Sequence, residues 1–312
     1  MNLESTQYDL AIIGGGPAAV AAGVYASRKR LKTLFVAKEF GGQSSVSSDI
    51  QNWIGTPSIS GTKLAETLKE HLKAYAGDVV DIHEGKFVNS IEKSPTGFNI
   101  KLEDESFEAK TVLISTGSRR RQLEVPGAAK FEHKGVVYCA SCDGPLFADM
   151  DVVVIGGGNA GFETAAQLLA YAKSVVLLQR SKEYRADPVT VKKVLSHPKM
   201  RGVVDTEILE VKGDKFVEAI VYKERETGKI VELPAQGIFV EVGSVPSTDL
   251  VANLVERDAI GQIVVDPRNQ RTSVSGIWSA GDCTNGLYHQ NNIAAGDAVK
   301  ALEDIYMYLH TQ

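Results

Sequence analysis

The chain has 312 residues, 43% of them hydrophobic and 23% charged, which is the composition of a globular protein with room for about two domains. A net charge of −5 offers no basic footprint for nucleic acid, and no apolar run approaches the roughly 20 residues that span a bilayer. Three cysteines argue against a secreted disulfide scaffold, and Met1 to Gln7 is polar and unlike a signal peptide, so the expectation is a cytoplasmic protein with neither a nucleic-acid nor a membrane partner.

Tyr8 to Ile13 is a short apolar run ending at three glycines and predicts a buried strand. The alanine-rich stretch from Ala18 to Arg28 predicts a helix, and Thr33 to Ala37 a second strand, completing a β-α-β unit. Gly61 to Tyr75 has helical periodicity, and Lys86 to Phe107 alternates like antiparallel strands around a turn at Ser94 to Gly97. Thr111 to Gly117 is an apolar strand closed by a glycine turn and followed by a polar connector. A second β-α-β unit begins at Asp151 to Ile155, with glycines at 156–158, a helix from about Asn159 to Ala172 and a strand from Ser174 to Leu178. The two glycine turns start 142 residues apart (14 and 156) and share one element order, an internal repeat of a whole domain type. Gly237 to Gly243 repeats the strand-then-glycine pattern ahead of Ser244 to Ser247. With both connectors taken as crossings, the second unit is inserted into the first: residues 1–117 and 246–312 form one domain and 118–245 the other. The expected fold class is α/β, with two Rossmann-like dinucleotide-binding domains of three-layer ββα type, one inserted into the other.

Gly14-x-Gly16-x-x-Ala19 and Gly156-x-Gly158-x-x-Gly161 both match the dinucleotide fingerprint. The first glycine makes the tight turn, the second lets a pyrophosphate approach the backbone, and the third position packs helix on strand. The acid that binds ribose hydroxyls normally follows about 20 residues on. In the first unit that place falls near Ala37, with Glu39 just beyond; in the second it falls at Gln179, followed by Arg180 and Arg185. Arginines without an acid favour a 2′-phosphate, hence NADPH over NADH.

Cys139-Ala-Ser-Cys142-Asp143 is the chemical centre. Two cysteines three apart at a helix start share a face and close a small disulfide readily, and helix amides there favour the reactive thiolate. Zinc needs two further ligands, and the only other cysteine is Cys283, so no metal site is expected. Asp143 is placed for proton transfer, and His133 is read as a surface residue. Cys283 is read as a packed residue rather than a third redox centre.

Together these residues resemble the low-molecular-weight thioredoxin reductases and the related flavoprotein subunit of alkyl hydroperoxide reductase. The resemblance runs through Gly14 to Ala18, Gly41 to Gln43, Asn52 to Gly55, Thr116-Gly117, Cys139 to Asp143, Gly156 to Gly158 and Gly276 to Cys283. It implies FAD in the discontinuous domain, held by the Gly14 turn with Glu39, Gly42, Gln43, Asn52, Thr116, Gly117, Gly281, Asp282, His289 and Gln290. It implies NADPH at the Gly156 turn, and electron flow from NADPH through FAD to a Cys139–Cys142 disulfide. Cys142 would then face the flavin, Cys139 would attack a thioredoxin-like protein, and Asp143 would serve as the acid–base residue. It also implies a homodimer, a rotating inserted domain and, since the chain opens directly on the first strand, a stand-alone reductase.

The sequence departs from the family pattern at Gln179 and Ser181, where thioredoxin reductases carry His and Arg, and at His289 and Asn291, which flank the retained Gln290. Gln179 and Ser181 admit NADH, a ferredoxin or a reduced flavin as the donor. Gly237 to Val240 and Gly281 to Thr284 resemble the hydroperoxide reductase subunit more than thioredoxin reductase, a resemblance that implies a glutaredoxin- or peroxiredoxin-like partner. A flavin-bound redox sensor without turnover is the alternative from a different functional class.

Overall fold

The computed structural model describes residues 7–47, 49–103 and 105–311, and the backbone but not the side chain of Cys142. The leader-free reading of Met1 to Gln7 therefore falls mostly outside the described residues, as does the role of the Cys142 side chain. By internal contacts the chain divides into two compact units. One comprises Met1–Ser47, Trp53–Arg119 and Val245–Gln312; the other comprises Ser48–Asn52 and Arg120–Ser244.

In the first unit β1 (Tyr8–Ile13) leads through the glycine turn into α1 (Pro17–Arg28) and back into β2 (Thr33–Ala37), which pairs with β1 in parallel. Pro17 at the first helical position presets φ for the helix and sacrifices only an amide that would have no intrahelical partner. α1 is buried on most of its circumference, which its small residues (Ala18, Ala19, Ala22, Gly23, Ala26) permit. Next come α2 (Gly61–Ala76), capped by Ser60 Oγ accepting from the Lys63 amide, then β3 (Val80–Glu84), β4 (Ser90–Ser94), β5 (Gly97–Leu102) and β6 (Glu105–Ile114).

β7 (Ser118–Arg120) leaves this unit. The inserted unit contains β8 (Val136–Val137), α3 (Ala140–Asp143), β9 (Asp151–Ile155), α4 (Asn159–Leu168), β10 (Ser174–Leu178), α5 (Pro188–Leu195) and β11 (Met200–Val203). An antiparallel trio follows, β12 (Thr206–Gly213), β13 (Val217–Glu224) and β14 (Ile230–Pro234), and then β15 (Gly237–Val240). β16 (Ser244–Pro246) pairs with β7 at the two crossings, after which β17 (Ile277–Ser279) and α6 (Asn291–His310) rejoin the first unit.

The first unit's sheet has the order β3-β2-β1-β6-β5-β4. It forks at β6, whose first half pairs antiparallel with β5 and whose second half pairs parallel with β17. The inserted unit has a wholly parallel sheet, β11-β10-β9-β15-β8, covered by the antiparallel trio. Its central strands are apolar without alternation because both faces are covered. Val152, Val154, Leu177 and Phe239 pack with Phe162 of α4 on one face, while Val153, Ile155, Ile238 and Val240 pack with the trio on the other. α4 is shorter than its sequence pattern predicts. Its end tightens into i→i−3 bonds, Ala170 to Gln167 O and Tyr171 to Leu168 O, so the chain turns before Ala172.

The third fingerprint position differs between the repeats. A methyl group on Gly161 would lie 1.9 Å from the Gly156 carbonyl oxygen, whereas the first unit carries a fully buried Ala19 there. Gly161→Ala is expected to cost about 1–3 kcal/mol through overpacking. Ala19→Gly is expected to cost about 1 kcal/mol through helix propensity. Urea unfolding of both variants checks the asymmetry, and a Gly161→Ala protein as stable as wild type would contradict it.

Candidate functional site

In the first unit Gly14 has φ +138, and a Cβ there would stand 2.2 Å from the carbonyl oxygen of Ser115 at the end of β6. Gly15 is pressed as closely on the Glu39 carbonyl, and the Gly41 amide donates to Gly15 O at 2.9 Å, so the loop after β2 is tied to the turn. Gly16 is different. A Cβ there would meet only Gly42 Cα at 3.9 Å, and one on Gly42 would meet only Gly16 Cα at 3.5 Å. Two facing glycines thus keep a space in front of the first turn of α1, which has no side-chain cap and no acidic residue. That cradle suits an anionic pyrophosphate, because free helix amides and the positive dipole end would face it.

Other predicted residues converge on the same end of this unit. Gln43 donates to Ser118 Oγ at 3.1 Å, beside Thr116 and Gly117, and Thr116 Oγ1 donates to Ser247 O at 2.6 Å. Gly281 has φ +81, and a Cβ there would sit 3.3 Å from both Ala18 of α1 and Ala294 of α6, which places Asp282 where the two helices meet. Ser44 Oγ donates to Asn291 Oδ1 at 2.9 Å, joining the 42–46 turn to the start of α6, where His289 and Gln290 lie. The His289 Nε2 atom is buried and has no hydrogen-bond partner among the described residues. An unpaired buried ring nitrogen costs free energy until a ligand group meets it. Glu39 is exposed at the rim, and Asn52 groups with the inserted unit. Cys283 is fully buried, with Sγ 3.3 Å from Ser279 Oγ and its thiol pushed up by burial, as suits a packed residue.

The inserted unit repeats the cradle. Gly156 has φ +118, a Cβ there would stand 2.3 Å from the Glu241 carbonyl oxygen, and a Cβ on Gly158 would meet nothing within 4 Å. α4, like α1, starts without a side-chain cap or an acid in its first turn, whereas α5 is capped by Asp187 accepting from the Thr190 amide. At the ribose-acid position the Gln179 side chain turns inward. Its Oε1 accepts from the Gly157 amide at 3.1 Å, and its Nε2 donates to Ser181 Oγ at 2.7 Å and Glu183 O at 3.1 Å. Gln179 thus braces the turn, and Ser181 is part of the brace. Arg180 and Arg185 are exposed, and the Arg185 amide donates to Gly157 O at 2.8 Å, so both arginines flank the turn.

Cys139 is half-buried and held in a disulfide. The helix expected after it is a single turn, because Gly144-Pro145 ends it and a 3₁₀ turn over Gly144–Phe147 follows. Any contribution from helix amides is therefore limited to that turn, in which the Asp143 amide donates to Cys139 O at 2.9 Å. Ser141 Oγ donates to Gln167 Oε1 at 3.1 Å and pins the turn to α4, and Gly144 is pressed against the Tyr171 hydroxyl, where a Cβ would stand 2.1 Å away. Burial pushes the Asp143 carboxyl above the usual carboxylate range, opposed by the charges of His133 and Arg120. His133 is exposed yet close enough to act on Asp143. Glu241, absent from the sequence expectations, is a second half-buried carboxyl pushed up by burial. The signal for it was an acid inside the otherwise apolar run from Gly237 to Gly243. Among the described residues no group of three or more His, Cys, Asp or Glu side chains is arranged to hold a metal ion, and no helix is long and apolar enough to cross a membrane.

Comparison with known proteins bears on the family and the fold. A family profile described as pyridine nucleotide-disulphide oxidoreductase matches residues 8–298. The chain is 41% identical to an NADH dehydrogenase of Bacillus subtilis (strain 168) over 98% of its own length and 59% of that protein's. It is 38% identical to an alkyl hydroperoxide reductase component of Escherichia coli (strain K12) over 97% of this chain and 58% of the relative. It thus spans about six-tenths of the length of these curated relatives. Thioredoxin reductase from Streptococcus pyogenes MGAS5005 superposes with a TM-score of 0.90 at 34% identity, covering 99% of this chain and 100% of that one. Thioredoxin reductase from Giardia duodenalis gives 0.91 at 34% identity, covering 97% and 99%. With its paired βαβ glycine cradles and its Cys139 disulfide, the chain belongs to the pyridine nucleotide-disulphide oxidoreductase family.

Proposed function

We propose that this protein is a flavin-dependent disulfide reductase of the thioredoxin reductase type, taking electrons from NADPH and delivering them to a protein disulfide through Cys139 and Cys142. The observation that carries the reading is a disulfide at Cys139 beside a half-buried carboxyl with a raised proton affinity, in the unit that also carries the second glycine cradle. FAD would be held at the first cradle by the backbone around Gly14, Gly16 and Gly42, with Ala19, Glu39, Gln43, Asn52, Thr116, Gly117, Gly281, Asp282, His289 and Gln290 around it. When bound, the flavin supplies the two-electron relay between the nicotinamide and the disulfide.

NADPH would lie at Gly156, Gly158 and Gly161, with the exposed Arg180 and Arg185 supplying positive charge to a 2′-phosphate. A second reading, NADH as donor, draws on Ser181, which stands in the brace with Gln179 where a third cation would otherwise be, and on the relative named as an NADH dehydrogenase. Cys139 would attack the partner's disulfide, Cys142 would face the flavin, and Asp143 would hold the proton that the departing thiolate needs. The partner is proposed to be a thioredoxin-like or peroxiredoxin-like protein. A homodimer in the cytoplasm, where reduced nicotinamide is supplied, completes the proposal.

Anaerobic stopped-flow mixing of the yellow protein with NADPH or NADH tests the donor. Rapid bleaching by NADPH with slower bleaching by NADH is expected, the reverse order would select the second reading, and no bleaching by either would overturn both. In Cys142→Ser, bleaching by the nucleotide should persist while turnover of protein disulfides falls by roughly a thousandfold or more. Normal turnover in that variant would exclude the cysteine pair as the route.

Asp143→Asn should slow disulfide turnover by about 10²–10⁴-fold, the range for loss of a general acid. The same variant has a signed effect on stability. Because burial raises the folded carboxyl's pKa, the stability Asp143 contributes is present below the ordinary aspartate range and is lost as pH rises through the folded value. The thermal midpoint of Asp143→Asn should therefore exceed that of wild type at alkaline pH and converge with it at acidic pH. A difference independent of pH would remove Asp143 from this role.

A further inference from the structure

The inserted unit's chain passes from β9 through α4 to β10 on one side, while β15 lies on the other side of β9. The strand order therefore switches between β9 and β15, and ligands of open α/β sheets bind in the crevice at the carboxyl ends of such a pair. Glu241 stands at that end. It follows the last residue of β15, its amide donates to Ile155 O at 2.8 Å, and its carbonyl is the group pressed against Gly156. Its side chain leans over the start of α4. Thr164 Oγ1 donates to Glu241 Oε1 at 2.7 Å, and the Glu241 Cβ lies 3.8 Å from where a Gly161 side chain would begin.

The internal repeat supplies a control. The residue whose carbonyl meets the first glycine in the other cradle is Ser115, a neutral residue whose hydroxyl donates to Ile13 O at 2.9 Å. One cradle therefore has a neutral wall and the other an ionisable one. Burial pushes the Glu241 carboxyl up, and the negative charge of Glu163 on α4 acts in the same direction. The Thr164 hydroxyl and the Arg120 guanidinium on β7 act against it. The carboxyl end of β9 and its glycine turn contribute no titratable side chain.

A dinucleotide pyrophosphate brings two further negative charges into this crevice. A half-buried carboxylate there would repel it, whereas a neutral carboxylic acid would not. We propose that Glu241 is a positioning residue that takes up a proton from solvent when a dinucleotide docks at the Gly156 turn, so that nucleotide binding is coupled to pH. This rests on the reading of that turn as a dinucleotide site. By linkage, binding is tightest where Glu241 is already protonated and weakens by up to about tenfold per pH unit above the free protein's value for this group.

The test uses ADP-ribose, which carries the pyrophosphate but neither a nicotinamide nor a 2′-phosphate that titrates. Isothermal calorimetry of the FAD-loaded protein from about pH 6 to pH 9, in buffers of different ionisation enthalpy, reads affinity and protons taken up together. Wild type should bind more weakly as pH rises and should take up protons from the buffer on binding. Glu241→Gln should bind with little pH dependence, absorb no proton and bind more tightly than wild type at the alkaline end. Thr164→Val, which deletes the donor that stabilises the carboxylate, should move the window to higher pH. A flat wild-type profile, or a Glu241→Gln profile parallel to wild type, overturns the assignment. Failure of both proteins to bind ADP-ribose at any pH overturns the reading of the turn itself, and the inference with it.

Discussion

The constraint on which both glycine cradles depend is a contact between a glycine and the carbonyl oxygen of the neighbouring strand. Gly14 meets Ser115 and Gly156 meets Glu241 at distances that leave no room for a side chain. Each contact lets the strand end and the helix begin within three residues at positive φ, a backbone state that L side chains rarely adopt. Once the turn is that tight, the first helical amides must face the crevice at the carboxyl edge of the sheet. Neither α1 nor α4 uses a side chain of its own to satisfy them, while α2 and α5 do. A helix end left open in this manner suits an anion supplied from outside.

The chemistry of the inserted unit is organised by desolvation. Asp143 and Glu241 are both half-buried carboxyls pushed toward their neutral forms, one beside the disulfide and the other beside the second cradle, and the Arg120 guanidinium acts on both. Removing a carboxylate from water raises its proton affinity without requiring a second acid nearby, so each group holds its proton to higher pH than an exposed carboxyl does. Thr164 and Arg120 keep Glu241 from being an isolated charge, and His133 and Arg120 do the same for Asp143. Arg120 belongs to the crossing strand β7, so the segment that leads the chain into the inserted unit contributes a charge that partly opposes both shifts.

The Gln179 brace shows a side chain at the end of β10 used to hold its own turn. With an acid absent from the end of β10, the amide side chain satisfies the Gly157 amide and holds Ser181 and Glu183, which stiffens the loop that presents Arg180 and Arg185. Sequence spacing singles out Gln179, yet no spacing rule indicates whether a glutamine there points outward or back into its own turn. That choice is made by the hydrogen-bond inventory of the loop.

The strand-turn-helix-strand units, their repetition and the Cys139 to Asp143 motif are legible in the chain itself, because hydrophobic runs, glycine spacing and cysteine spacing are local properties. So is the helix of α1, since alanine content and a proline at its start act within a few residues. The stop that limits α3 to a single turn is also local, in Gly144-Pro145, although the cysteine spacing alone gives no helix length. Sequence alone could not show which distant carbonyl closes on each glycine, that Glu241 borders the second turn from 85 residues away (241 against 156), or that the ring nitrogen of His289 is buried without a partner among the described residues. Those facts depend on β15 lying beside β9 and on α6 starting next to the 42–46 turn. The sequence by itself determined the local elements and the Cys139-x-x-Cys142 spacing, whose causes lie within about ten residues. Only the tertiary structure decided which carboxyls lose their water and which amides stay open, because burial is set by segments far apart in the chain.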